Sequence, residues 1–207
     1  MNGLEFWRLR RNLERAGYDC HIFKYHVWGK PLTETAARLH EFAEGLDAPV
    51  VHFVAHSLGG IVVMHLFDQF PFAKPGRIVL LASPVNGSVV AKRLNSIALT
   101  RWMLGQSMEL GLGGSVPRWN GWREIGIIAG SLPLGVGLII GGPSFPHDGT
   151  VSVEETGLKG ATDSIILPVS HMGMLFSSEV ARQVITFLRA GRFDEDTVTA
   201  IPDSSVA

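Results

Sequence analysis

Ser57 stands in the run Val54-Ala55-His56-Ser57-Leu58-Gly59-Gly60, between an apolar segment of strand type and a segment of helix type. A serine hydroxyl becomes useful as a nucleophile when a tight strand–turn–helix pushes it out at the end of a sheet. Such a turn strains the serine backbone and crowds the positions two before and two after it. Small residues are needed there, and Ala55 and Gly59 supply them. The helix that follows aims its N-terminal dipole and free N–H groups at the same point, which makes the Leu58 backbone N–H a candidate oxyanion donor. The other reading of this string is an ordinary βα turn with a serine N-cap. The strand-then-helix context, with His56 and Gly60 alongside, favours the nucleophile.

A serine held this way needs a sheet, and the chain reads as one. Residues 4–16 are helical, with Phe6, Leu9, Leu13 and Ala16 on one face and Gly17 as a stop. Residues 20–25 (CHIFKY) read as a strand, and residues 35–46 as a helix with Ala36, Leu39, Phe42, Ala43 and Leu46 at helical spacing. Residues 50–55 (VVHFVA) form the nearly continuous apolar run of a strand covered on both faces. Helix 58–70, strand 77–82, strands 125–130 and 164–169, and helix 177–190 follow. Strands alternating with helices imply an α/β fold, a mostly parallel sheet with helices on both faces and about five recognisable strands. Residues 1–191 are expected to form one domain, and the polar residues 192–207 a frayed tail. Between two strands lies the stretch 86–123, rich in Leu, Gly and Met and holding Trp102, Trp119 and Trp122, which reads as a cap or an excursion over the sheet edge.

Composition removes other classes. The chain has 207 residues, 46% hydrophobic and 18% charged, enough to bury a sizeable core and too apolar for a disordered chain. Eighteen basic against nineteen acidic side chains leave a formal charge of −1, which gives no electrostatic footprint for nucleic acid. One cysteine, Cys20, can form neither an internal disulfide nor a Cys-based zinc site, and reads as an inert buried thiol. Residues 125–147 are uncharged over a membrane-like length, but Pro133 and recurring glycines favour a buried strand followed by a loop. No apolar core of signal-peptide type stands among the first residues, so the cytoplasm and no stable membrane anchor are expected. No pair of His or carboxylate residues shows a metal-ligand spacing, and neither metal nor cofactor is expected.

The string AHSLGG resembles the nucleophile elbow of α/β-hydrolases, especially lipase- and esterase-like members, which usually have Gly where this chain has Ala55. RIVLLASPVNGS is similar to the strand and small-Pro turn that follow the nucleophile helix in that family, and the likeness extends from about residue 4 to 192. The resemblance implies an acid and then a histidine downstream of the serine. Asp148, in His147-Asp148-Gly149-Thr150-Val151, resembles the family's acid turn, and His171 follows the last strand where the family's histidine sits. All three lie at or beyond the carboxyl ends of strands, where an open α/β sheet places its site. In these roles His171 takes the serine proton and Asp148 fixes the imidazole tautomer and stabilises the imidazolium. A turn-forming Asp-Gly and a loop histidine are the plainer alternatives. Asp163 is the rival acid, but it begins the strand leading to His171, eight residues or roughly 25 Å away. His147 reads as a loop residue, and His52 and His56 as satisfied neighbours of the elbow.

The resemblance also implies a gap. In the family, an earlier strand ends in a His-Gly turn that supplies the second oxyanion N–H, immediately ahead of a helix like residues 4–16. The sequence opens at Met1-Asn2-Gly3, just past that place, and Met1 is expected to be an internal methionine of a longer natural protein. The missing strand belongs between 20–25 and 50–55. Its absence obliges the sheet either to pair those two segments directly or to leave ladder groups unpaired. Two functions are therefore in view. One is a serine hydrolase that cleaves a small ester with an apolar acyl group, with Trp102, Met103 and Met108 lining a cap or acyl pocket. The other is an impaired remnant of the fold, or a binding module, that keeps these residues without a formed site.

Overall fold

The computed structural model describes residues 4–25, 31–87, 116–135, 143–194 and 199–200. Its centre is a sheet whose strands follow one another in chain order: β1 (Phe53–His56), β2 (Ile78–Leu81), β3 (Ile125–Gly130), β4 (Asp163–Leu167) and the short β5 (Thr199–Ala200). The first four are parallel, and β5 lies antiparallel on β4. β2 and β3 are buried on every residue, as their continuous apolar sequences require of central parallel strands. Because the four strands are parallel, the residues that follow β1, β3 and β4 all leave the same end of the sheet.

Helices cover both faces. On one side lie α2 (Leu32–Glu44) and α3 (Leu58–Gln69), packed with Phe53, Ile78, Leu80, Ile125 and Ile127. α3 is wedged between α2 and the sheet and is apolar almost all round, and nine of its residues are buried. On the other side lie α1 (Trp7–Arg15), preceded by a 3-10 turn at Leu4–Phe6, and α5 (Ser178–Ala190), packed with Val79, Leu81, Ile128 and Ile165. The alternation of Ile78 and Leu80 against Val79 and Leu81 is the two-residue period of a strand feeding two cores. Two short elements complete the site end, α4 (Val153–Thr156) and a 3-10 turn at Gly173–Phe176. Residues 192–194 do not leave the domain: Phe193 is buried, its N–H donates to the Asp163 carboxylate, and Asp194 pairs with Arg182.

One expected strand is not there. Residues 20–25 carry no ladder pairing, so four of the five anticipated strands form, and the fifth strand of the sheet is instead the brief β5 at the opposite edge, beside β4. The reason is geometric: β1 pairs only with β2 among the described residues, and a groove of about 640 Å³ separates its other edge from residues 18–25. Phe6, Leu9 and Leu13 line one wall of this groove, and Phe42, Ala43 and Val62 another. A strand needs a neighbour at ladder distance, about 4.8 Å, and CHIFKY has none among the described residues. Among the described residues β1 has no second ladder partner, so the sheet has not closed up on residues 20–25. Cys20 accordingly sits outside any strand, half-buried, and its thiol approaches the carbonyls of Arg10 and Tyr18. No helix among the described residues is long and apolar enough to cross a membrane, and the suspect stretch begins as β3.

Candidate active site

Ser57 occupies the turn between β1 and α3 with φ 54° and ψ −128°, a conformation that a residue with a side chain adopts only under strain. The turn closes on itself through the Gly60 N–H, which donates to the Ser57 carbonyl at 3.0 Å. The small residues around it have specific neighbours. A Cβ on Gly60 would run into the Ser83 side chain, and one on Gly59 would lie 3.5 Å from the Tyr25 hydroxyl and 3.7 Å from the Ala55 Cβ. Leu58 is the first residue of α3, and its backbone N–H belongs to the first turn, where no intrahelical carbonyl is available.

Asp148 lies beyond β3 in a loop that turns on Gly149 at φ 96°. Its carboxylate is buried, and both oxygens accept hydrogen bonds. Oδ1 accepts the N–H groups of Thr150 and Val151 at 2.9 and 2.7 Å, and Oδ2 accepts the His171 Nδ1–H at 2.7 Å. The room for it comes from Gly130 at the end of β3, where an added Cβ would meet the Val169 carbonyl at 2.5 Å and the Asp148 Cβ at 2.7 Å. Sequence reasoning missed Gly130, since its need is set by a residue 18 positions later.

His171 follows β4 and is 8% exposed. A carboxylate can only accept, so Nδ1 carries the proton and Nε2 is the bare acceptor, which the Ser57 hydroxyl faces at 3.1 Å. Ser57, His171 and Asp148 thus form one hydrogen-bonded line from three different strand ends. Asp163 is outside it: its carboxylate accepts from the N–H groups of Ser164 and Phe193 at the far end of β4.

The remaining histidines divide. His52 accepts the Arg77 N–H at 2.9 Å through Nδ1, and burial followed by the charges of Arg77 and Arg123 lowers its pKa. His147 is buried beside Asp148, where its Nδ1 accepts the Gly149 N–H at 3.0 Å. His56 is only half satisfied, because its Nε2 meets the His171 carbonyl at 3.0 Å while its Nδ1 has no partner among the described residues. Burial, then the proximity of His171, pushes its pKa down to about 3. Among the described residues, no three His, Cys, Asp or Glu are grouped to hold a metal. Trp102, Met103 and Met108 lie outside the described residues.

Residues 3–184 match the model of the alpha/beta hydrolase family. The chain belongs to that family. Among solved structures, this hydrolase is similar to the mature form of a lipase from Bacillus licheniformis, BlEst2, at 18% identity and a TM-score of 0.70, with 92% of this chain and 87% of that one covered. It is also similar to the metagenomic carboxyl esterase MGS0156, at 18% identity and a TM-score of 0.63, with 80% of this chain and 58% of that one covered. The phospholipase PlaB from Legionella pneumophila follows at 16% identity and a TM-score of 0.58, with 76% of this chain and 41% of that one covered. The hydrolase therefore spans most of the first and about half of the other two. No curated protein sequence matches it.

Proposed function

We propose that this hydrolase cleaves carboxylic esters through an acyl-enzyme formed on Ser57. The observation that carries the reading is the Ser57–His171–Asp148 line, with the serine in a strained turn at the start of α3. His171 Nε2 takes the hydroxyl proton as Ser57 Oγ bonds to the acyl carbon, and the carbonyl oxygen becomes an oxyanion facing the Leu58 N–H. The leaving alcohol takes that proton from Nε2 as the ester C–O bond breaks. Water then loses a proton to the same nitrogen as it attacks the acyl carbon, and Nε2 returns that proton to Ser57 Oγ as the acyl C–Oγ bond breaks, which frees the acid and restores the serine. Asp148 keeps the imidazole in the required tautomer throughout and stabilises the imidazolium.

The lipase, carboxyl esterase and phospholipase among the similar structures support an ester as the bond cleaved. A preference for an apolar acyl group rests on the composition of residues 86–123, including Trp102, Met103 and Met108. A free, half-buried thiol at Cys20 suits the reducing cytoplasm.

The open edge of β1 favours a second reading, an impaired hydrolase or binding module: β1 pairs only with β2 among the described residues, and the strand whose turn supplies the second oxyanion donor in the family belongs beside that free edge. Lacking one such donor costs about 10²–10³ in rate. Labelling with a fluorophosphonate, read by mass spectrometry with Ser57→Ala as control, decides between them. Stoichiometric labelling at Ser57, absent in the variant, is the expected result. A folded chain that takes no label would end the ester-hydrolase reading and leave the second.

A further inference from the structure

Every polar group of His171 is held by a named partner. Its N–H donates to the Asp148 carbonyl at 2.9 Å, its Nδ1–H to Asp148 Oδ2, and its Nε2 accepts from Ser57. The fourth group, the backbone carbonyl, accepts from His56 Nε2 at 3.0 Å. Of these partners only His56 belongs to β1, and it is bonded covalently to Ser57. A closed circuit results, running from Ser57 through the peptide bond to His56, across to His171, and back through the imidazole to the Ser57 hydroxyl.

We propose that His56 is a positioning residue that fixes the distance between the serine and the imidazole by tying the His171 backbone to the strand that carries Ser57. This rests on the triad reading above and adds the group that holds its base in place. Three observations support it. The two rings are in contact, tilted 46° to each other with centroids 4.6 Å apart, so a shift of the His171 loop also displaces His56. His56 is 2% exposed, and its ring also packs T-shaped with Phe6, centroids 6.3 Å apart, so it has no alternative place to go. Its Nδ1 is buried without a donor among the described residues, a cost that a phenylalanine of similar shape would avoid. Packing alone therefore does not explain a histidine here, whereas the Nε2–H bond does.

The electrostatics are compatible with that role. The titratable groups facing His56 are His171 and Asp148. When His171 takes up the serine proton, a second cation 4.6 Å away would oppose it, and burial, which lowers the His56 pKa to about 3, keeps that ring neutral near pH 7.

The test compares wild type with His56→Phe, His56→Asn and His56→Gln. A glutamine Nε2 reaches about as far as the ring Nε2, whereas an asparagine amide stops near the level of Nδ1. Measured quantities are the rate of fluorophosphonate labelling, kcat and KM on a 4-nitrophenyl ester, thermal midpoint, and the low-field NMR signal of the His171 Nδ1 proton. His56→Phe and His56→Asn are expected to slow labelling and kcat by roughly 10–100-fold with little change in KM, as small misplacements of reacting groups do. They should also shift or broaden the low-field signal, and His56→Gln should recover most of the loss. Equal labelling of all four proteins, or equal loss in Asn and Gln, would overturn the proposal. The Asn–Gln pair carries the test if Phe does not fold. A wild type that never labels would instead overturn the triad reading.

Discussion

Asp148 and His171 hold each other twice, once by backbone and once by side chain. The His171 N–H meets the Asp148 carbonyl at 2.9 Å, and its ring N–H meets the carboxylate at 2.7 Å. Two loops from different strands are thereby locked in a single register, and the imidazole has one orientation and one tautomer available to it.

Replacing Asp148 by Asn isolates the side-chain half of that pairing. The backbone bond stays, but an amide facing Nδ1 favours the wrong tautomer and leaves Nε2 protonated. The expected loss is about 10⁴-fold in kcat, with the fold intact by circular dichroism. Ester hydrolysis within tenfold of wild type would remove Asp148 from the mechanism.

Gly130→Ala tests the space that the acid occupies. The new methyl group would be forced against the Val169 carbonyl and the Asp148 Cβ, neither of them the free end of a flexible side chain. Overpacking of this kind costs about 1–3 kcal/mol, seen as a lower melting temperature, and the displaced carboxylate should slow labelling of Ser57. A variant as stable and as quickly labelled as wild type would show that the loop yields freely.

The pH dependence of stability has an identifiable source in His56. Burial first, and then His171, lowers its pKa from 6.5 to about 3, so an unfolded chain takes up a proton that the folded ring refuses. This contribution is fully present above pH 6.5 and is lost as the pH falls toward 3, at up to about 1.4 kcal/mol per pH unit. Urea unfolding above pH 6.5 and roughly two units below it should show the loss in wild type, with a flatter response in His56→Phe. Parallel curves for the two proteins would assign the loss to other groups.

The parts of this molecule legible in its sequence are those with a local cause. The Ser57 turn demands small residues at fixed offsets, and β2 and β3 announce themselves by continuous apolar runs that only a doubly covered strand tolerates. CHIFKY misleads because strand propensity is local while a ladder is not: residues 20–25 have the composition but lack a neighbour beside them. The same limit hid Gly130, whose constraint comes from Asp148, and the His56 bond to His171, which spans 115 positions. His147 looked like a loop residue and is one, but it is buried, because the Asp-Gly turn folds its own N–H back onto the ring.

Among the described residues, the edge of β1 that faces away from β2 has no ladder partner. Alternation along a parallel strand turns the backbone groups of Val54 and His56 away from β2, toward a groove with apolar walls. An uncovered edge of this kind is a template for any passing extended chain, a second copy included. Whatever seats there ends up beside the Ser57 turn, because the edge stops one residue short of Ser57. Pairing at that edge and access to the Ser57 hydroxyl therefore share one address.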